Sequence, residues 1–204
     1  MPEIFANIAK EGGYHAEVTM LAEDGWTLSK HAQSDRTIKK IRDQTWDYVI
    51  LQEQSVIPAK IEEREQSMYP AIRTLDAEIR NNGAKTILFM TWGRRDGLPQ
   101  EGFADFSEMQ AAIAEGYREI GNELNVAIAP VGDAWKIGVD EGTQLALWVN
   151  DGSHPSIEGS YLSACVLYAI IFDVSPKGVA HFAGLKEDVA HPLQTFAKRA
   201  VFQD

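Results

Sequence analysis

The sequence predicts an α/β fold in which a mostly parallel sheet is covered by helices on both faces. Three observations predict it. Short apolar runs rich in β-branched residues alternate with longer stretches of helical periodicity. The clearest strand is Thr86-Ile87-Leu88-Phe89-Met90, and Tyr48-Val49-Ile50-Leu51, short and rich in β-branched residues, is of the type buried in a parallel sheet. The 204-residue length suits one domain with a sizeable core, here 1–204.

Taken in order, Ile4, Phe5, Ile8 and Ala9 lie at helical spacing from Glu3 to Glu11, and Gly12-Gly13 ends that helix. Tyr14 to Leu21 reads as a strand closed by Glu23-Asp24-Gly25. Leu28, Ile38 and Ile41 mark a helical region before the strand Tyr48-Val49-Ile50-Leu51. A long helical stretch runs from about Ile61 to Asn82, broken or begun anew at Pro70 and stopped by Gly83. After the strand at 86–90, Phe106, Met109, Ile113, Tyr117 and Ile120 trace one helix face, and Val126-Ala127-Ile128-Ala129 supplies a last strand. Ser156 can cap a helix through Tyr161, Cys165, Tyr168 and Ile171, and a final helix spans about Lys186 to Val201.

Composition narrows the function classes. Thirty acidic against nineteen basic residues give a net charge of -11, which disfavours nucleic acid or an anionic membrane as a partner. No apolar run reaches the roughly 18 residues of a membrane span. The single cysteine, Cys165, lies in an apolar run and reads as a small core residue. The histidines are scattered without metal-ligand spacing, so no metal and no cofactor is expected. The amino end carries no secretory pattern, and the sequence as given reads as cytoplasmic.

In a parallel sheet, ligands bind beyond the carboxyl ends of the strands. The loops to search are therefore Gly25-Trp26, Gln52 to Ser55, Trp92 to Gly97, Asp133 to Trp135, and Asn150 to Ser156. Asp151-Gly152-Ser153-His154-Pro155-Ser156 is the strongest signal. An aspartate three residues before a histidine can accept the ring Nδ1–H, fixing the tautomer and leaving Nε2 to take a proton. Equally, Asp151 can simply cap backbone amides before the helix, with His154 as polar surface. Leu51-Gln52-Glu53-Gln54-Ser55 places amides at a strand end, where they could donate to an oxyanion or sit in a solvated loop. Gly25 could offer a backbone N–H or be a plain turn glycine. Trp92-Gly93-Arg94-Arg95 combines an aromatic ring with cations suited to a polar substrate, or with surface pairing to the acidic majority.

Together, Asp47 to Ser55, Phe89 to Gly93 and Asp151 to Ser156 resemble the SGNH (GDSL-type) hydrolases, and in particular an SGNH-like branch of them. The resemblance spans nearly the whole chain. It implies a flavodoxin-like three-layer sandwich and ester hydrolysis through an acyl-enzyme. It implies His154 as general base, Asp151 as its orienting carboxylate, and Gly25 as the second-block oxyanion donor. The family's asparagine donor is replaced here by the Gln52–Gln54 segment, with Gln54 the chosen residue. Trp92 and Arg94 are the expected substrate contacts, and the substrate a small ester, such as an acylated sugar.

One feature departs from the family. Its nucleophilic serine follows the first strand in a Gly-Asp-Ser or Gly-Asn-Ser block, whereas this sequence starts at the first helix. Ser29 and Ser34 follow the wrong strand, and Ser55, Ser153 and Ser156 lack the elbow context. The expectation is a chain without the first strand and serine, inactive by itself. With strand order 2-1-3-4-5, that strand would be central. The strands at 14–21 and 48–52 would then flank a slot to be closed by direct pairing, by a second copy in a homo-oligomer, or by residues outside the sequence. The alternative function is a non-catalytic relative that binds an acyl or carbohydrate ligand. A module for a phosphate-bearing cofactor ranks last, since no Gly-rich loop supports it.

Overall fold

The computed structural model describes residues 1–202, and the chain divides into two compact units. One comprises Leu21–Gly93 and Glu108–Ile128; the other comprises Met1–Met20, Arg94–Ser107 and Ala129–Asp204.

Strands β1 (Tyr48–Leu51), β2 (Lys85–Phe89) and β3 (Ala127–Ala129) lie in the order β1-β2-β3. The first unit contains β1, β2 and all of β3 except its last residue, Ala129. β1 and β2 run parallel with Val49 opposite Thr86 and Leu51 opposite Leu88. Ile87, Leu88 and Phe89 are fully buried, as their unbroken apolar run requires. Among the described residues β1 has one neighbour, and Ile50 on it is 37% exposed.

Helices α2 (Leu28–Ala32) and α3 (Asp35–Arg42) precede β1, capped by the side chains of Thr27 and Ser34. The long stretch before β2 is continuous: α4 (Ile61–Glu63), a π-helical turn Arg64–Met68, and α5 (Tyr69–Asn81). The wide turn absorbs Pro70, whose ring and missing N–H do not fit a regular α-helical ladder. Asp76 ties α5 to β2, accepting from Thr86 Oγ1 and Arg80 Nε, each at 2.7 Å. α6 (Phe106–Leu124) buries Met109, Ile113, Tyr117 and Ile120, the face its periodicity predicts.

The second unit is helical. α1 (Pro2–Glu11), α7 (Val131–Asp140), α8 (Ile157–Phe172) and α9 (Glu187–Phe202) pack around α8, which is buried almost all round. Cys165 is one of its core residues.

Two expectations need correction. Tyr14–Leu21 forms no strand: these residues pair with no strand of the sheet, and Val18 and Met20 are exposed. Alternating apolar residues make a strand only where a neighbour supplies the ladder. Asp133–Trp135 is not a loop but part of α7, whose buried Val131, Ala134, Trp135 and Gly138 recur at helical spacing. Among the described residues no helix is long and apolar enough to cross a membrane.

Candidate active site

The loop bearing Asp151 and His154 is clamped at its base. Ser156 N–H donates to Leu147 O at 2.9 Å and Val149 N–H to His154 O at 3.0 Å, an antiparallel pairing that leaves Asn150 to Ser153 as the tip. Gly152 makes the turn at φ 67°, a left-handed conformation open to glycine, and its N–H donates to Val149 O at 3.0 Å. Below, Trp148 meets Phe106 and Trp135 edge-on, with ring centroids 5.3 and 4.8 Å apart. Gly159, at the start of α8, lets Trp135 and Leu147 approach: a Cβ there would lie 2.5 Å from the Trp135 ring and 2.3 Å from Leu147 O.

On this base, Asp151 holds His154 twice. Its Oδ2 lies 2.7 Å from His154 Nδ1, and its Oδ1 accepts the N–H of Ser153 at 2.8 Å and of His154 at 2.9 Å. Capping and ring orientation, which the sequence leaves as alternatives, are thus performed by the two oxygens of one carboxylate. The bond from the His154 ring, followed by those from the two backbone N–H groups, holds the Asp151 carboxyl down at about 2. The His154 side chain is 79% exposed. Among the described residues its Nε2 has no hydrogen-bond partner, serine hydroxyls included.

Arg94 is the cation expected to contact the substrate, and its neighbour Arg95 is the one that reaches this loop. Its N–H donates to Gly152 O at 2.8 Å, its guanidinium pairs with Asp96 at 3.1 Å, and it is close enough to Asp151 for their charges to interact. Arg94 itself is half-buried.

The sheet-bearing unit holds the other predicted residues. Gly25 is exposed at φ 68°, in a turn where Trp26 N–H donates to Glu23 O. The Gly25 carbonyl accepts from Lys30 Nζ at 3.4 Å, and its N–H donates to no group among the described residues. Gln54 is half-buried and Gln52 exposed. The Gln54 Oε1 accepts from Val56 N–H at 2.9 Å and Ile57 N–H at 3.3 Å, which fixes the side chain and directs its Nε2 donors elsewhere. Trp92, 9% exposed, packs edge-on against Phe89 at 6.3 Å and belongs to the core more than to an open platform.

Glu53, between the two glutamines, escapes a reading based on motifs. It is 1% exposed; its Oε1 accepts from Gln54 N–H at 2.7 Å and Leu28 N–H at 3.1 Å, and its own N–H donates to Tyr117 Oη at 3.1 Å. Burial raises the Glu53 carboxyl to about 7 against the pull of those N–H bonds. Strand parity is the signal that finds it, since residue 53 continues the buried face of Leu51. Among the described residues no group of three His, Cys, Asp or Glu side chains is arranged to hold a metal ion.

No protein-family profile matches the sequence. Nor does any curated protein match it. Solved structures do. A DUF4886 family protein from Bacteroides uniformis has a TM-score of 0.78 and 16% identity, over 99% of this chain and 89% of its own. A proposed SGNH hydrolase from Slackia heliotrinireducens has a TM-score of 0.68 and 26% identity, over 82% of this chain and 88% of its own. A proposed GDSL-like lipase from Parabacteroides merdae has a TM-score of 0.55 and 15% identity, over 82% and 78%. The α/β fold with its parallel sheet is common to all three and to this chain.

Proposed function

We propose that this chain, a member of the SGNH-like superfamily, carries the base and oxyanion donors of a serine-type ester hydrolase. The observation that carries the reading is the 2.7 Å contact between His154 Nδ1 and Asp151 Oδ2. With Nδ1–H donated to an ionised carboxylate, the neutral ring presents a bare Nε2, the state a general base must start from. As Nε2 takes the proton of an attacking hydroxyl, Asp151 stabilises the imidazolium that forms. Gly25 N–H and Gln54 Nε2 are the proposed donors to the oxyanion of the tetrahedral intermediate. The substrate is a small ester, such as an acylated sugar.

A second reading is a non-catalytic domain that binds an acyl or carbohydrate ligand. The observation that favours it is the lack of a serine hydroxyl on His154 Nε2 among the described residues. A histidine–aspartate pair without a nucleophile has no covalent route.

The two readings part in one assay. The chain is produced with any residues that the reading frame encodes ahead of Met1, and its aryl acetate hydrolysis is compared with that of the 204-residue form. The hydrolase reading expects turnover in the longer chain, abolished by His154→Ala. An in-frame stop ahead of Met1, or a folded longer chain without turnover, supports the binding reading.

A further inference from the structure

Two carboxylates are almost fully buried among the described residues, Asp76 and Glu53. Asp76 has an evident structural task between Arg80 and Thr86. Among the described residues Glu53 pairs with no cation, and its oxygens accept only from main-chain N–H groups. Burying an acid without a counter-ion is costly, and an apolar side chain of similar size would pack there more cheaply. What Glu53 holds therefore matters more than its contribution to the core.

We propose that Glu53 is a positioning residue that fixes the turn carrying Gly25 and the loop carrying Gln54 on a single carboxylate. The proposal rests on reading Gly25 and Gln54 as oxyanion donors. Leu28, three residues after Gly25, is bound at 3.1 Å by Oε1 and at 3.3 Å by Oε2. Gln54 N–H shares Oε1 at 2.7 Å. Tyr117 Oη, on the buried face of α6, anchors Glu53 from its own N–H. This tie uses the N–H groups of Leu28 and Gln54 and leaves Gly25 N–H and Gln54 Nε2 without protein partners among the described residues.

The titratable groups on the surrounding elements are few. Tyr117 faces Glu53 from α6, while on α2 Lys30 is turned to Gly25 O and His31 to Thr37 Oγ1. The Glu53 carboxyl, raised to about 7 by burial, thus titrates with no cation to fix its charge.

Amide hydrogen exchange and NMR titration test this on the 204-residue chain. Glu53→Ala should speed exchange at Leu28 and Gln54 by about tenfold or more, leaving Ile87 and Leu88 in β2 unchanged. Glu53→Gln keeps an acceptor at Oε1 and should restore slow exchange. In the wild type the Leu28 and Gln54 amide shifts should titrate with a midpoint near 7, and Glu53→Gln should abolish that titration. Unchanged exchange at Leu28 and Gln54 in Glu53→Ala overturns the tie. So does equal acceleration at every core amide without rescue by glutamine, or a titration that persists in Glu53→Gln. If Glu53→Ala does not fold, the glutamine variant and the titration still decide. Added acetate, an analogue of the acyl product, should shift Gly25 N–H and the Gln54 side-chain amide in the wild type and less in Glu53→Ala. No acetate response in the wild type overturns the oxyanion reading alone, since the exchange data judge the tie separately.

Discussion

Asp151 and His154 are joined at two points: Oδ2 of the carboxylate meets the ring Nδ1 at 2.7 Å while Oδ1 accepts the His154 main-chain N–H at 2.9 Å. The second bond fixes the backbone from which the ring projects, so the first needs little further ordering of the side chain.

These bonds set the acid behaviour of the loop. The Asp151 carboxyl sits at about 2, below its ordinary 3.8, because the His154 ring and two backbone N–H groups favour its charged form. A depressed carboxylate contributes above its unfolded pKa and loses that contribution as pH falls through the folded value. The loop should keep its geometry down to about pH 4 and loosen between there and pH 2. Carbon-13 titration of the Asp151 carboxyl should give a midpoint near 2, moving up in His154→Ala. An ordinary midpoint in both proteins would mean the contacts do not persist in solution.

Glu53 carries the opposite sign. Its folded value, about 7, lies above the ordinary 4.5, so between those pH values the native state holds a proton that the unfolded chain has lost. Its contribution is complete below about pH 4.5 and is lost as pH rises through about 7, by roughly 3 kcal/mol at most. Urea denaturation at a series of pH values should therefore show Glu53→Gln gaining on the wild type from pH 4.5 to 7.5. Parallel stability curves would contradict this.

Gly159 should tolerate no side chain. A methyl group there would meet a backbone oxygen and the Trp135 ring inside contact distance, and the backbone atom has no flexible way to yield. Gly159→Ala should cost about 1–3 kcal/mol by overpacking, a fall in Tm of roughly 2–12 °C for a chain this size. Scanning calorimetry checks it, and a Tm within a degree of wild type would show that Trp135 and the Leu147 loop shift freely.

Catalysis by the 204-residue chain should be absent. With no serine hydroxyl on Nε2 among the described residues, simple aryl or acetyl esters should be hydrolysed at no more than the background rate. Turnover that survives replacement of every serine but disappears in His154→Ala would mean that the pair activates water directly, and the acyl-enzyme route would fall.

Much of this was readable from residue order. β2 and α6 follow from an unbroken apolar run and a regular buried face, and the Ser156 cap of α8 from the hydroxyl before an apolar helix. The Asp151–His154 contact was legible because three-residue spacing around Gly152 leaves the two side chains few other partners. The segment 14–21 misled because strand character depends on a neighbour that local sequence does not reveal. α7 was hidden by Pro130 and by two glycines, Gly132 and Gly138, that read as loop but lie buried in a helix. Glu53 was concealed by its polar neighbours, though its parity with Leu51 placed it on the buried face.

The most direct test of His154 as a general base is its tautomer, read from the two ring nitrogen-15 shifts in the neutral form. The 2.7 Å contact with Asp151 predicts the proton on Nδ1 and a bare Nε2, with Asp151→Asn shifting the balance toward Nε2–H. A wild-type ring protonated mainly on Nε2, or one unaffected by Asp151→Asn, would contradict the account.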